Sequence, residues 1–457
     1  MAGVSVNSKH VSDMTKGPIL PIIVSFALPL MLGGLFQDLY SVADMAIAGY
    51  TLGDDALAAI SATAAIVTLI NYSSRGFVLG SSILVSNAFG AGDMDRTRKT
   101  VYEMLLLTAL YTAVITTVGL IFAKPLMRLV SVPAEIFENS RRYLVIIIAG
   151  LFSTLFYNAY ACAFKALGNS KMPLYFLIFC SIANIILDYV CIVFFDMGVA
   201  GAAFATVLSQ LLSAVLSGFF FYRMFPEMRY RRGDLKEAGD ALYDMFTVGF
   251  SVALTNSIFA IGAVAIQGAL NRLGSETIIA QSACSKIQMF AVIPSINIAN
   301  TVATFAAQNY GAKDYDRITK GIWISLALSF SINIATYLII FVLGAGLIRL
   351  ITNTKNENVV LMGRTMLRLQ VPFIWAQTAT MSFRMCLQSM KKKLVPMTGT
   401  AVELVIRCFF AFALTPIIGY RAISLAEPAA WIISGAAMAI CYFIVVKKEK
   451  AAAEAIS

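Results

Sequence analysis

The sequence predicts an all-α membrane protein with twelve transmembrane helices, arranged as two parallel six-helix repeats around a central cleft. Three observations predict it: 59% of the 457 residues are hydrophobic and only 13% are charged, the apolar residues form long continuous stretches, and two segments of the first half recur in the second. A water-soluble protein usually has about 45–50% apolar and ~25% charged residues. The apolar excess and the length also exclude a disordered chain and a small disulfide-stapled scaffold.

The helices are predicted from the length of the apolar stretches, because a helix that crosses the hydrocarbon needs about 20 mostly apolar residues. Twelve stretches meet this requirement: 19–49, 57–88, 100–123, 140–163, 172–195, 199–222, 244–270, 277–306, 318–347, 359–387, 394–418 and 424–446. They are continuous rather than alternating in polarity, which excludes a transmembrane β-barrel.

The placement of the basic residues predicts the topology. The net charge is +10, and with a cytoplasmic N-terminus the inside segments hold 21 Lys and Arg against 10 outside. The positive-inside rule then predicts that both termini lie in the cytoplasm. We expect a multi-pass protein of the cell (plasma or inner) membrane. We expect the basic residues to meet anionic lipid, and we expect no nucleic-acid partner.

An internal duplication predicts the domain organisation. Residues 50–62 align with 271–283, and residues 89–99 align with 310–320 at the same offset of 221. A shared offset indicates tandem copies. The predicted parts are an N-terminal lobe (1–222), a cytoplasmic linker (223–243) and a C-terminal lobe (244–457). Six helices per copy give both lobes the same orientation, as in transporters that alternate access to a central site. We expect this chain to act as a monomer.

Two carboxylates within the predicted helices are the candidate ion-coupling residues, since a charge in the hydrocarbon costs about 2.5–3.5 kcal/mol on insertion scales. Asp44 shares a helical face with Gln37, and Asp188 lies four residues after Asn184. Two carboxylates of one half could share a proton or hold a sodium ion. Neutralising them would remove their attraction for a cation. The alternative is that Asp44 and Asp188 only cap or hydrogen-bond the outer ends of their helices.

Other charges in the predicted spans have different interpretations. Glu403 and Arg407 are four residues apart, which predicts a structural ion pair within one helix. Arg75 and Lys286 could extend to the interface or neutralise carboxylates. Asp38 could reach solvent or a lysine, and the roles of these last three residues stay open.

Aromatic and methionine side chains near the carboxylates could bind substrate. Phe36, Tyr40, Tyr157 and Met289 could line an adaptable cavity for flat organic cations, although most of the 31 Phe and 20 Met must pack helices or face lipid. The sequence has no GxxxxGK[ST] motif, and no catalytic or metal-binding constellation is apparent. We therefore expect no enzyme activity, no cofactor and no resident metal, and only a proton or a sodium ion as coupling ion.

Several segments resemble the multidrug and toxic compound extrusion (MATE) family, in its prokaryotic branch related to DNA-damage-inducible proteins. They occur in order along the whole chain and include QDLYSVADMAIAGYTLG (37–53), FGAGDMDR (89–96), FKALGNSKMP (164–173), NIILDYV (184–190) and VELVIRCFFAF (402–412). Each segment is moderately specific, and their order and spacing together are strongly so.

The resemblance implies residue roles and a function. By position, Asp44 matches the first-span carboxylate of the family, Asn184 and Asp188 match its fifth-span pair, and Thr206 matches a sixth-span threonine near that site. Another branch of the family relies on acids in spans 7 and 10. Here span 7 offers only Asp244 at its edge and span 10 offers none.

The expected function is secondary antiport: organic, mainly cationic drugs leave in exchange for protons or sodium ions by alternating access. The alternative is a flippase for lipid-linked precursors or polysaccharide, of the same wider superfamily. Such proteins often have 14 spans and basic cavities, whereas this sequence predicts twelve spans and acidic sites. A ligand-gated regulatory protein is a third class, and the sequence shows no sensor domain for it. Four questions stay open: which substrate is exported, which of the two ions is coupled, what the stoichiometry is, and whether drug and ion share one pocket.

Overall fold

A computed structural model describes residues 12–231, 240–354 and 356–455, and these residues form helices and connecting turns without a strand. The predicted all-α class is confirmed. Residues 1–11, at the predicted cytoplasmic N-terminus, and residues 232–239 of the predicted linker lie outside the described part. The α-helices are α1 Ile19–Leu52, α2 Asp54–Gly90, α3 Met94–Leu129, α4 Phe137–Ala149, α5 Leu151–Ala166, α6 Lys171–Tyr189, α7 Gly198–Met224, α8 Asp240–Asn271, α9 Ser275–Gly311, α10 Tyr315–Thr352, α11 Glu357–Gln370, α12 Ile374–Ser389, α13 Leu394–Cys408, α14 Thr415–Ile418 and α15 Tyr420–Glu454.

Two predicted spans are interrupted helices. The stretch predicted at 140–163 consists of α4 and α5, which meet at Gly150 with a bend of 43°. A Cβ on Gly150 would lie 2.2 Å from a Val207 side-chain carbon, so this close approach requires glycine. The stretch predicted at 359–387 is divided between α11 and α12 by a 3₁₀ turn, Val371–Phe373, which contains a proline. Proline cannot continue the helical hydrogen bonding.

Length and hydropathy select ten helices of the described chain as able to cross a membrane, or eleven when α4 and α5 count as one span. The predicted stretch that is not selected is 359–387. Its two helices are shorter than a crossing needs, and they carry Arg364, Arg368 and Arg384. The remaining predicted stretches coincide with the bent pair or with continuous helical segments, two of which (171–194 and 394–418) include a π-helical turn.

The described chain divides into two compact units. Unit 1 comprises Met1–Asp13 and Leu28–Ala253, and unit 2 comprises Met14–Ala27 and Leu254–Ser457. The first helix of each repeat, α1 or α8, therefore begins in one unit and continues in the other. The boundaries of these units fall within α1 and α8, whereas the predicted lobes, 1–222 and 244–457, each contain all or most of one of these helices. That the two lobes act as functional bodies stays a prediction.

Each unit has its own apolar core. In unit 1, α2, α3, α4 and α5 contribute a buried cluster that includes Ile66, Met127 and Leu144. In unit 2, α9, α10, α12 and α15 enclose a cluster that includes Phe383 and Tyr442.

The duplicated segments have the same local structure. Gly53 before α2 and Gly274 before α9 both have positive φ, 79° and 91°. The side chain of Asp93 caps α3 by accepting a hydrogen bond from Arg96 N at 2.9 Å, and Asp314 caps α10 by accepting one from Arg317 N at 2.9 Å. An aspartate at this position satisfies a backbone donor at the helix start. The shared sequence therefore encodes equivalent turns in the two repeats.

A close crossing of two glycines in unit 1 gives a stability prediction. A Cβ on Gly249 of α8 would lie 2.8 Å from the carbonyl oxygen of Phe77, and a Cβ on Gly80 of α2 would lie 2.6 Å from Gly249 Cα. We expect Gly249→Ala to destabilise the protein by about 1–3 kcal/mol, because backbone must move to admit the methyl group. Thermal unfolding in detergent measures this. Gly268→Ala, in open space on the same helix, is the control, and equal unfolding temperatures for the two variants would contradict the prediction.

Candidate functional site

Two helices of unit 1 bring the predicted acidic residues together. Asp44 lies on α1 and Asp188 lies near the end of α6, just before a π-helical turn, Val190–Phe194. The two carboxyl groups are within hydrogen-bonding distance of each other. Asp188 is 1% exposed and Asp44 is half-buried. π-Helical turns inside α-helices are frequent at functional sites, and this one follows directly on the carboxylate-bearing turn.

Asn184 and Thr206 hold the Asp188 side chain in place. In the amide orientation that satisfies both neighbours, Asn184 Nδ2 donates to Asp188 Oδ2 at 2.8 Å, and its oxygen accepts from Thr206 N on α7 at 3.3 Å. Tyr40, one turn before Asp44 on α1, has its hydroxyl within hydrogen-bonding distance of the Thr206 side chain. The site is therefore rich in oxygen atoms and includes four of the residues singled out in the sequence besides Asp44.

The carboxyl pair has no positive partner in the part of the chain that the structure describes. No Lys or Arg side chain there comes within 4.0 Å of Asp44 or Asp188, and Asp188 Oδ1 is buried without a protein donor. Two adjacent carboxylates repel each other when both are ionised, so such a pair retains a shared proton or a bound cation. The arrangement can therefore bind and release one positive charge.

Tyr143 of α4 was not found by sequence reasoning. It lies close enough to interact electrostatically with both Asp44 and Asp188. No pattern around it distinguishes it from the other tyrosines of the chain, so only the packing of α4 reveals its place.

Other predicted site residues lie elsewhere or make different contacts. Gln37 is half-buried on the helix that carries Asp44, and Phe36 beside it is exposed. The buried Tyr157 donates from its hydroxyl to the carbonyl oxygen of Pro173 at 3.4 Å. Met289 is exposed on α9 of unit 2. Substrate contacts for Phe36, Tyr157 and Met289 stay a prediction.

The three charges whose roles were open are not buried. Arg75 and Lys286 are exposed, and Asp38 is half-buried. Exposed side chains of this kind can face lipid headgroups or an aqueous cavity.

Unit 2 contains a cluster of four charged residues, three of them buried. Arg407 donates to both carboxylate oxygens of Glu427, from Nε and Nη2, each at 2.9 Å, and its Nη1 lies 3.4 Å from Glu403 Oε2. Arg384 forms a short ion pair with Glu403. The Arg407 guanidinium also lies over the Phe259 ring, 4.5 Å from its centroid. Glu403 and Arg407 thus pair as the sequence predicts, within a larger neutral cluster.

The sequence did not identify Arg384 and Glu427 as members of this cluster. They lie on α12 and α15, which are distant in sequence from the α13 pair. An i, i+4 spacing identifies partners within one helix only. The available signal was weak: both are charged residues inside predicted apolar stretches.

The two repeats place pairs of polar residues at corresponding positions. In unit 1, Asp188 lies two residues before a π-helical turn, and Thr206 lies eight residues after Gly198 (φ 57°). In unit 2, Arg407 lies two residues before a π-helical turn, Phe409–Leu414, and Glu427 lies eight residues after Gly419 (φ 62°). Asp188 of the first repeat, which has no basic partner among the described residues, therefore corresponds to Arg407 of the second repeat, which is paired with glutamates.

Comparisons with known proteins agree with this fold. The family model described as MatE matches residues 29–190 and 248–413. The chain is 27% identical to the probable multidrug resistance protein YoeA of Bacillus subtilis (strain 168) over 69% of this chain and 70% of that protein. It is 24% identical to an FAD transporter of Shewanella oneidensis, over 68% of this chain and 70% of the other. The structure of the Vibrio cholerae MATE transporter VcmN in its bent form covers 94% of this chain and 98% of its own, with a TM-score of 0.86 and 20% identity.

Proposed function

We propose, because this chain belongs to the MatE family of transporters, that it is a secondary antiporter that exports organic cations in exchange for protons. Coupling occurs at the Asp44–Asp188 pair. Sodium is the alternative coupling ion, since the oxygen atoms around the pair suit a hard cation. The protein acts as a monomer in the cell membrane, with both termini in the cytoplasm.

One observation carries this proposal: two carboxyl groups lie within hydrogen-bonding distance, one of them fully buried, without a basic partner among the described residues. A structural carboxylate at this depth would need a permanent counter-charge, as Glu403 and Glu427 have in unit 2. A carboxyl pair without a permanent counter-charge is suited to binding a proton or another cation and releasing it again.

Exchange of that charge provides the coupling. A coupling ion on the pair lowers its net negative charge, which weakens the attraction for a cationic substrate; loss of the ion restores that attraction. Export against a gradient requires ion and drug to favour different states of the alternating-access cycle, or to compete for one site. The π-helical turn after Asp188 and the adjacent α7 are the elements nearest to the change in charge.

The substrate class follows from the sign of the site. An acidic pair attracts cations, and several MatE relatives are named for multidrug resistance, such as YoeA. The FAD transporter relative suggests an anionic nucleotide as the competing substrate. A flippase for lipid-linked precursors has less support, because its pyrophosphate would be repelled by Asp44 and Asp188.

Reconstitution into liposomes tests the coupling ion. We expect liposomes loaded with ethidium to lose the dye when an inward proton gradient is imposed, and not when a sodium gradient is imposed at equal pH. Dye fluorescence measures the rate, and protein-free liposomes give the background. Export driven by sodium alone would show that sodium, and not the proton, is the coupling ion.

The same liposomes distinguish the substrate classes. Loaded with FAD, they are expected to retain it under either gradient. Release of FAD but not of ethidium would keep the exchange mechanism and overturn the cationic substrate.

A further inference from the structure

A cavity of about 300 Å³ opens at the end of unit 1 where α1 ends and α2 begins. Charged and polar residues in its wall are Asp55, Asn139, Arg142 and Asp196, and the first turn of α7 supplies Ala200. One water needs about 10–15 Å³ by the same measure, so the cavity is large enough for a group of waters. The positive-inside rule predicts that this end faces away from the cytoplasm.

The helices that border this cavity also carry the carboxyl site. On α1, Leu52 lines the cavity eight residues after Asp44, and Asp196 lines it eight residues after Asp188. At about 1.5 Å per residue of α-helix, Leu52 lies roughly 12 Å beyond Asp44 along α1.

Two further helices, α7 and α4, also border both the cavity and the carboxyl site. On α7, Gly198 lines the cavity eight residues before Thr206. On α4, Arg142 lines it immediately before Tyr143, which interacts with both carboxyl groups. All four elements thus extend from the cavity to the site within a few helical turns.

The charge of the cavity favours cations. Asp55 and Asp196 are exposed, whereas the guanidinium of Arg142 lies 3.8 Å from Glu138 and is partly offset by it. The counterpart of Asp55 in unit 2, Glu276, accepts a hydrogen bond from Asn356 at 2.6 Å. At the offset of 221, Asp196 corresponds to Ile417. Among the described residues, the two exposed acids Asp55 and Asp196 thus lie in the repeat that has the carboxyl pair.

We propose that this cavity is the passage by which the coupling ion moves between the external medium and the Asp44–Asp188 pair. The inference depends on the function proposed above and adds its route. Asp55 and Asp196 raise the local concentration of cations at the opening, as acidic clefts do for charged substrates. Asn139 and bound water then provide polar contacts along the wall.

Chemical closure of the cavity tests the route. Ala200→Cys places a thiol in its wall, and the permanently cationic thiol reagent MTSET attaches a bulky group there. We expect treatment to lower proton-driven ethidium export about tenfold or more, while equilibrium ethidium binding is retained. The matched control is Arg421→Cys, the corresponding exposed position in unit 2, and the unmodified protein controls for its own cysteines.

The outcomes separate the route from the function. If untreated Ala200→Cys shows no ion-driven export although the parent protein does, the double variant Asp55→Asn/Asp196→Asn decides. We expect that variant to need an external proton concentration about tenfold higher for half-maximal export. Full export after labelling, or an unchanged proton requirement in the double variant, would overturn the route. Absence of ion-driven export in the parent protein would instead overturn the function.

Discussion

Asp188→Asn and Asp44→Asn are each expected to reduce proton-driven export to the rate of protein-free liposomes. Asparagine has nearly the shape of aspartate but binds no proton, so each variant keeps a single carboxyl group and loses the carboxylate partner with which that group shares the coupling ion. The hydrogen bond between Asn184 and position 188 places Asp188 in a fixed geometry, and its 1% exposure leaves no solvent to substitute for the lost exchange. Ethidium efflux under an imposed pH gradient measures the effect.

The matched control is Asp38→Asn, which removes a carboxylate from the same helix, six residues before Asp44, and on another helical face. We expect it to keep most of the export rate. Expression level and unfolding temperature establish that each variant is folded. Wild-type efflux by folded Asp44→Asn or Asp188→Asn would remove these residues from the mechanism.

Arg407→Met is expected to destabilise the protein by about 3–5 kcal/mol, because it leaves the partly buried carboxylate of Glu427 without its bidentate partner and weakens the pairing of the buried Glu403. Arg407 is 1% exposed, so water cannot replace its hydrogen bonds. Loss of the Arg407–Phe259 contact adds to the cost. Unfolding in detergent, followed against temperature, measures the change.

A charge-balanced variant tests the cause. Arg407→Met combined with Glu427→Gln removes one positive and one negative group and leaves the Arg384–Glu403 pair intact. Since removing a whole buried pair often costs little, we expect the double variant to recover most of the lost stability. If it is as unstable as Arg407→Met alone, side-chain packing rather than an unpaired charge is responsible.

Local patterns predicted the elements of this protein better than their assembly. Continuous apolar stretches identified the helices, and the repeated motifs identified the equivalent caps at Asp93 and Asp314. The interruption at Gly150 was not predicted because the stretch 140–163 is apolar on both sides of it, and the close approach of Gly150 to Val207 is a tertiary contact that a local pattern does not show.

The same contrast between local patterns and assembly applies to the carboxyl pair and to the charged cluster of unit 2. Asp44 and Asp188 were identifiable because charges are rare at membrane depth, and Asn184 because it lies one helical turn from Asp188. Tyr143 and Glu427 were not, since each is brought to its site by a helix distant in sequence. The change of unit within α1 and α8 is likewise a property of packing, which no periodicity records.

The arginine that corresponds to Asp188 in the second repeat has an electrical consequence. With one exchange site per chain, trading one proton for one monovalent cation moves no net charge across the bilayer. Export would then draw on the acidity difference alone, and a voltage worth about 2.3 kcal/mol per charge per 100 mV would contribute only if both carboxyl groups carried protons inward. A cell with a large potential and little difference in acidity would gain almost no drug resistance from the one-proton cycle.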